Sequence, residues 1–217
     1  ISTSLGVAVL IIVSSVMNGF EQELKDRVLN VIPHASIYGL NPIDDWESVE
    51  INLREDTNIR GISPYIETEA LIKSKSAVAG VLVNGVIASK DKSVSVIHEF
   101  MQTGNFEKIQ TGNNIVLGRL LARKLNVDVG DRISLMLPDT SSSFAGYFPK
   151  SKVFNISGIF NIGSKDIDET LAYISLENAS ILTGLKNQVH GFRLKFDDLF
   201  EAPYLVWQSL ILSLIHI

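Results

Sequence analysis

Four histidines and two groups of carboxylates are the candidates for metal or acid-base chemistry in this chain of 217 residues. The histidines are His34, His98, His190 and His216. Their spacing matches no metal-binding pattern, because His98-Glu99 is followed by Phe-Met-Gln and does not complete H-E-x-x-H. The pattern favours surface or half-buried histidines over metal ligands. The sequence has no cysteine, which excludes disulfides, thiolate metal sites and a cysteine nucleophile.

Asp166, Asp168 and Glu169 form the densest acidic group, and Asp197-Asp198 forms a second one. Paired carboxylates can act as general acid and base, but no neighbouring motif marks a pocket, which favours a solvated turn. The sequence also lacks the phosphate-binding G-x-x-x-x-G-K-[ST] pattern and the G-x-S-x-G nucleophile elbow. We therefore predict no catalytic residue, no metal and no cofactor, and a protein that binds partners rather than an enzyme.

The first 20 residues carry no charge, and as a helix they would extend ~30 Å, about the thickness of a bilayer core. They predict the C-terminal part of a transmembrane helix; a buried helix and a signal peptide are the alternatives. Residues 21–32 change to an amphipathic pattern, with Leu24, Val28, Leu29 and Ile32 on one face. This pattern predicts a stalk helix that ends at Pro33.

The rest of the chain alternates strand and helix signals and predicts an α+β domain. The clearest block is a strand at 115–117, a helix at 119–125, a turn at 129–131 and a strand at 132–137. A short helix is expected at 94–101, and an edge-like strand at 191–197 (GFRLKFD). The net charge of -5 is spread along the chain without a basic stripe, so no nucleic-acid partner is expected.

Residues 139–152 form a polar segment with an aromatic tip between two strand signals. Long loops of this kind are usually functional or disordered. If the stretch is a hairpin, Tyr147 and Phe148 are exposed, Pro149 stiffens them, and Lys150 and Lys152 add charge, as in a protein-binding hot spot. Alternatively, Phe148 and Val153 pack back onto the sheet.

The C-terminal tail, residues 201–217, fits neither a domain nor a membrane span. Its uncharged part, residues 204–217, would be only ~21 Å long as a helix, which is too short to cross a bilayer. We interpret this tail as a possible spurious end and infer nothing from His216.

Three blocks resemble the LolC/LolE family of lipoprotein-releasing permeases. LGVAVLIIVSSVMNGFEQELKDRVLNVIPH resembles the end of the family's first transmembrane helix, and MNGFE at 17–21 is its most specific part. VLGRLLARKLNVDVGDRISLMLP resembles a block that permeases similar to MacB and FtsX share. The third block is YFPKSKVFNISGIFNIGSKDID, followed by AYISLENA. Together the blocks cover most of residues 4–200.

The resemblance implies a subunit of an ATP-driven complex in the bacterial inner membrane, multi-pass when full length. Such complexes release lipoproteins and pass them to a periplasmic carrier. The implied partners are a cytoplasmic ABC ATPase subunit, a second permease subunit or homodimer copy, the carrier, lipoprotein substrates and the membrane. The branch stays open between LolC, LolE and a hybrid type. An FtsX-like relay that regulates a periplasmic partner without transport is the alternative function.

The resemblance also implies a domain plan and two binding surfaces. A MacB-like periplasmic domain of residues 21–200 would contain the stalk helix, two α/β lobes and a hook-like loop at 139–154 that grips the carrier. The hook-like loop would bind through Tyr147, Phe148, Pro149, Lys150, Lys152 and Phe154. The surface facing lipoprotein or lipid would consist of Val13, Val16, Met17 and Phe20.

Overall fold

A computed structural model describes residues 2–24, 35–54, 59–137 and 150–196. Most of the predicted stalk, the tip of the hook-like loop and the C-terminal tail lie outside these residues. The helices are α1 Ser2–Leu24, α2 Trp46–Arg54, α3 Ala88–Asp91, α4 Arg119–Leu125, α5 Lys165–Thr170 and α6 Leu176–Thr183. The strands are β1 Ala35–Ile43, β2 Ile59–Lys73, β3 Val78–Val86, β4 Met101–Gly104, β5 Asn114–Gly118, β6 Arg132–Leu137, β7 Lys150–Phe160, β8 Leu171–Ser175 and β9 Val189–Phe196.

All the described strands belong to one mixed sheet in which part of the pairing closes on itself. Its order is β1-β9-β2-β3-β8-β5-β7-β4, and β6 pairs with both β2 and β7. The circuit β2-β3-β8-β5-β7-β6 therefore returns to β2. The long strand β2 makes this possible, because its first half pairs with β9 while its end pairs with β6. These strands and helices confirm the predicted mixture of sheet and helices.

The apolar core divides into three clusters along this sheet. The largest fills the closed circuit, with Ile72, Leu117, Leu135 and Phe154 among its fully buried side chains. A second cluster surrounds Tyr173, on which Phe106 and Phe160 pack edge-to-face with ring centroids 5.6 and 5.9 Å away. The third places α2 on β9 and the first half of β2. Burial of this apolar surface is the main force that holds the elements together.

The block around α4 folds as its sequence predicts. α4 and β6 have the predicted bounds, and Leu121 and Leu125 are buried. Gly130 adopts a positive φ of 97° in the turn, a conformation that glycine tolerates best. Its N–H donates to the Ile156 carbonyl at 2.8 Å, and the Ile156 N–H donates to the Asp131 carbonyl at 2.9 Å. The glycine-aspartate turn thus fixes the position of β7.

Two element predictions are wrong in detail. The 191–197 stretch forms an internal strand, because β9 lies between β1 and β2. The helix expected at 94–101 is a single 3-10 turn, Ile97–Phe100, followed at once by β4. The first segment is helical over Ser2–Leu24. Among the described residues, however, no helix is both long enough and apolar enough to cross a membrane, so the predicted transmembrane helix is not confirmed.

Candidate functional site

The strand that leaves the hook-like loop presents two different faces. Lys150, Lys152 and Phe154 are opposite Leu137, Leu135 and Ile133 of β6, and cross-strand partners share a face of the sheet. All three β6 partners are buried, so this is the inner face of β7. Ser151 and Val153 point the other way. Phe154 is fully buried in the main core cluster, and it therefore packs the domain and offers no surface to a partner.

Helix α6 holds both lysines of the inner face. Lys152 donates from Nζ to Asn178 Oδ1 at 2.7 Å and lies 5.9 Å from the centroid of the Phe154 ring. Lys150 Nζ is 3.4 Å from the Thr183 carbonyl at the C-terminal end of α6, where the helix dipole favours a cation. Gly184 follows with φ of 82°, and a Cβ there would lie 2.9 Å from Lys150 Nζ. The missing side chain leaves room for this lysine.

Asn178 connects the lysine to the rest of the domain. Its amide nitrogen donates to the Gly112 carbonyl at 2.9 Å, and its backbone N–H donates to Ser175 Oγ, the N-cap of α6, at 3.2 Å. Asn178 is buried, and the half-buried Lys152 donates to its side-chain oxygen from the solvent side. The start of β7 is thereby fixed relative to α6.

Val153 is the residue of this strand that sequence reasoning did not select. Its side chain is 54% exposed on the outer face of β7, which contradicts the alternative in which Val153 packs back onto the sheet. Tyr147, Phe148 and Pro149 lie outside the described residues. The alternation of the strand was the available signal, because one-residue steps in a strand switch faces.

The predicted lipid-facing residues of α1 are all exposed. Val13, Val16, Met17 and Phe20 each have more than half of their surface accessible. Val7, Val9, Leu10, Ile11 and Ile12 of the same helix are also exposed. An apolar surface of this length needs a cover of lipid or protein.

The acidic group at 166–169 is not a solvated turn. It belongs to α5, and Asp168 is buried. The Asp168 carboxylate accepts the N–H groups of Ile162 and Gly163, both at 2.9 Å, and so ties α5 to the connection that follows β7. Asp168 is structural, and within the described ranges no group of acidic residues and histidines could hold a metal ion.

The structure also contains a cavity that the sequence did not reveal, with a mainly apolar lining and a few charged side chains. It has a volume of about 820 Å³, and Arg193 of β9 lies in its lining. Arg193 is 7% exposed; it donates from Nη2 to Asn84 Oδ1, lies 3.5 Å from Glu67 Oε2, and stacks 4.8 Å from the centroid of the Tyr65 ring. No motif marks this cluster, because its partners are more than a hundred residues away along the chain.

Behind Arg193 lies a fully buried carboxylate, Asp91 of α3. Its Oδ1 is 3.8 Å from Arg193 Nη1, and neither oxygen accepts a hydrogen bond from any residue that the structure describes. Burial raises the pKa of Asp91 to about 6, and the nearby Arg193 charge lowers it only in part. The pKa of Tyr173, also at the cavity, is raised by burial as well.

The mixed sheet with its closed circuit of strands can be compared with known families. Residues 1–199 match the MacB-like periplasmic core domain, and the chain belongs to this family. It superposes on the periplasmic region of MacB from Actinobacillus actinomycetemcomitans with a TM-score of 0.50 at 12% identity, covering 82% of this chain and 75% of that one. This likeness supports the MacB-like fold.

Two curated relatives show a closer likeness within this family. The lipoprotein-releasing system transmembrane protein LolC of Neisseria meningitidis serogroup B is 35% identical over 207 residues, which are 93% of this chain and 49% of that protein. LolE of Haemophilus influenzae is 35% identical over 208 residues, 93% of this chain and 50% of that protein. The predicted resemblance to LolC/LolE permeases is confirmed. The chain spans about half the length of these curated relatives.

Proposed function

We propose that this chain works in a permease subunit of an ATP-driven complex that releases lipoproteins from the inner membrane and passes them to a periplasmic carrier. The observation that supports this most strongly is the 35% identity to a lipoprotein-releasing protein along 93% of the chain. The family match over residues 1–199 includes both α1 and the domain, so both parts enter the proposal. A LolC-like and a LolE-like role fit equally well, because both relatives have the same identity.

In this proposal the chain supplies binding surfaces, and a cytoplasmic ABC ATPase subunit supplies the energy. A second permease subunit, or a second copy of this chain, completes the membrane part. The whole protein resides in the inner membrane as a multi-pass protein, with residues 21–200 mainly in the periplasm. The α1 surface with Val13, Val16, Met17 and Phe20 contacts lipid or the acyl chains of the lipoprotein, since these side chains are exposed and uncharged. Met17 is flexible enough to adapt to chains of different shape.

The proposed carrier-binding surface is the hook-like loop and the strand that leaves it. Its predicted contact residues are Tyr147, Phe148 and Pro149, together with Lys150 and Lys152 at the start of β7. The bonds of both lysines to α6 support this role, because a base anchored on a helix holds a loop at a defined angle to the domain. Phe154 is left out, since it is buried. Val153, exposed on the outer face, takes its place.

The experiment is capture of the purified carrier by the full chain in detergent, with Phe148→Glu as the test variant. We expect at least ~10-fold weaker capture, because a charge replaces a rigid aromatic anchor at the centre of the contact. Ile51→Glu is the matched control: Ile51 is 63% exposed on α2, so it receives the same charge away from the loop. Equal capture by wild type and Phe148→Glu, with both proteins folded, would remove the hook assignment.

A further inference from the structure

The 820 Å³ cavity is an open trough built on one face of the sheet. Its floor is made by five neighbouring strands in the order β1-β9-β2-β3-β8. At ~4.8 Å between strands, the floor is roughly 19 Å wide. Cavities of several hundred Å³ with a few converging polar groups are the usual form of a binding site.

Two walls rise from this floor. One is a bulge in β1: the register passes from Tyr38 opposite Gly191 to Ile43 opposite Val189, so residues 39–42 have only one residue opposite them. Gly39, Asn41 and Pro42 of this bulge line the cavity. The other wall is α5, which contributes Asp166, Ile167 and Thr170. A trough with two walls and open ends has the shape for an extended chain.

Tyrosines and an absent side chain shape the middle of the floor. Tyr38, Gly191 and Tyr65 are consecutive register partners in one row across β1, β9 and β2. Gly191 must stay without a side chain, because a Cβ there would lie 1.9 Å from the Ile37 carbonyl oxygen. The two tyrosines therefore stand two strand spacings apart, roughly 10 Å, with no side chain between them in that row. Tyr38 is 73% exposed, so it is available to a ligand.

The charge of the trough is negative. Its one guanidinium, Arg193, is already matched by Asp91 and Glu67. Glu67 and Asp166 line the trough themselves. Three carboxylates and one guanidinium thus lie in or behind the trough, and the exposed Glu67 and Asp166 are on its accessible side. Carboxylates beside tyrosine rings are the setting in which proteins bind organic cations.

We propose that this trough binds an extended polypeptide segment that carries lysine or arginine, with the cationic side chain between Tyr38 and Glu67. His190 helps to fix the proposed binding position. Its Nδ1 accepts the backbone N–H of Glu67 at 3.2 Å, which holds the imidazole ring beside Glu67. Arg193 stacked on Tyr65 shows that a guanidinium already fits against this floor. The proposal does not depend on lipoprotein release, since it rests on the trough alone.

The test is fluorescence anisotropy of the full chain in detergent with two labelled hexapeptides. One alternates serine and lysine, and the other has glutamate in place of lysine. We expect the lysine peptide to bind at least ~10-fold more tightly than the glutamate peptide. Tyr38→Ala and Glu67→Gln should each weaken binding of the lysine peptide by ~5-fold. Asp166→Asn, on the wall away from Arg193, is a second charge variant that leaves the buried cluster intact.

Glu47→Gln is the matched control, because Glu47 is exposed on α2, outside the trough, and the variant loses the same charge. Unchanged binding in Glu47→Gln supports a local site. Equal losses in Glu47→Gln and Glu67→Gln, equal binding of both peptides, or no binding of either peptide would each overturn the proposal. Displacement of the peptide by a neutral oligosaccharide would also overturn it and assign the trough to carbohydrate. Phe148→Glu should leave peptide binding unchanged. A failure of the peptide proposal can therefore be distinguished from a failure of the carrier proposal.

Discussion

Lys152 and Arg193 make the same kind of bond in two different surroundings. Each donates to the side-chain oxygen of a buried asparagine, Asn178 for the lysine and Asn84 for the arginine. Lys152 is half-buried at the edge of the domain, beside the exposed Val153. Arg193 is buried and shares its charge with Asp91 and Glu67.

The two cations differ in burial: Lys152 stabilises a strand at the surface, whereas Arg193 stabilises a buried cluster in the core. Water can replace the bond of Lys152 when the side chain is removed, because the site is open to solvent. Around Arg193 water cannot do so, and a buried carboxylate would lose its only nearby positive charge among the described residues. Removing one partner of a buried ion pair costs more than the pair itself contributes.

Arg193→Met should therefore have the largest effect on stability. We expect a loss of about 3–5 kcal/mol in the free energy of unfolding at neutral pH, because Asp91 loses the charge that compensates it and must either stay ionised in the core or take up a proton. Chemical denaturation of wild type and variant measures it. The double variant Arg193→Met/Asp91→Asn should recover part of the loss, since it removes the stranded charge. A loss below ~1 kcal/mol would contradict a structural role for the cluster.

Asp91→Asn tests the same cluster through its pH dependence. The pKa of Asp91 is about 6 in the folded chain and 3.8 as a free group. Because folding raises the pKa of Asp91, its contribution to the free energy of unfolding is fully present below pH 3.8. This contribution is lost as the pH rises through about 6. Between these pH values the wild type should lose on the order of 3 kcal/mol relative to Asp91→Asn. Denaturation at pH 4, 5, 6 and 7 measures the difference, and parallel profiles of the two proteins would refute it.

Lys152→Met should have the smallest effect on stability. We expect a loss of about 1 kcal/mol or less, because the lysine is half-buried and solvent can reach Asn178 once it is gone. Carrier capture should fall in the same variant, since the start of β7 is no longer fixed to α6. A stability loss as large as that of Arg193→Met would remove the distinction between the two regions.

Much of the fold can be predicted from the sequence, while the cavity around Arg193 cannot. The α4–turn–β6 block could be predicted because its signals are local: a helical leucine pattern, Gly130 at the turn and alternating residues in β6. β9 was misjudged because Arg193 and Lys195 alternate with apolar residues and imitate a solvent-facing edge strand. Arg193 instead points into a cluster from β2, β3 and α3, and such long-range pairing leaves no local pattern.

The hook-like loop shows a second limit of sequence reasoning. Its chemistry could be recognised from its aromatic and basic residues, but the face of each residue could not. Phe154 and Val153 are both apolar neighbours, and only the register with β6 shows that the first is buried and the second is exposed. The proposed carrier surface therefore gains Val153 and loses Phe154.

The most direct test of carrier capture by this surface is the Kd of the purified carrier for the full chain with Val153→Glu. Ile51→Glu is the matched control, because Ile51 is 63% exposed on α2 and Val153 is 54% exposed on β7. We expect Val153→Glu to raise the Kd by at least ~10-fold and Ile51→Glu to leave it unchanged. The same Kd for wild type and both variants would show that the carrier does not bind at this surface.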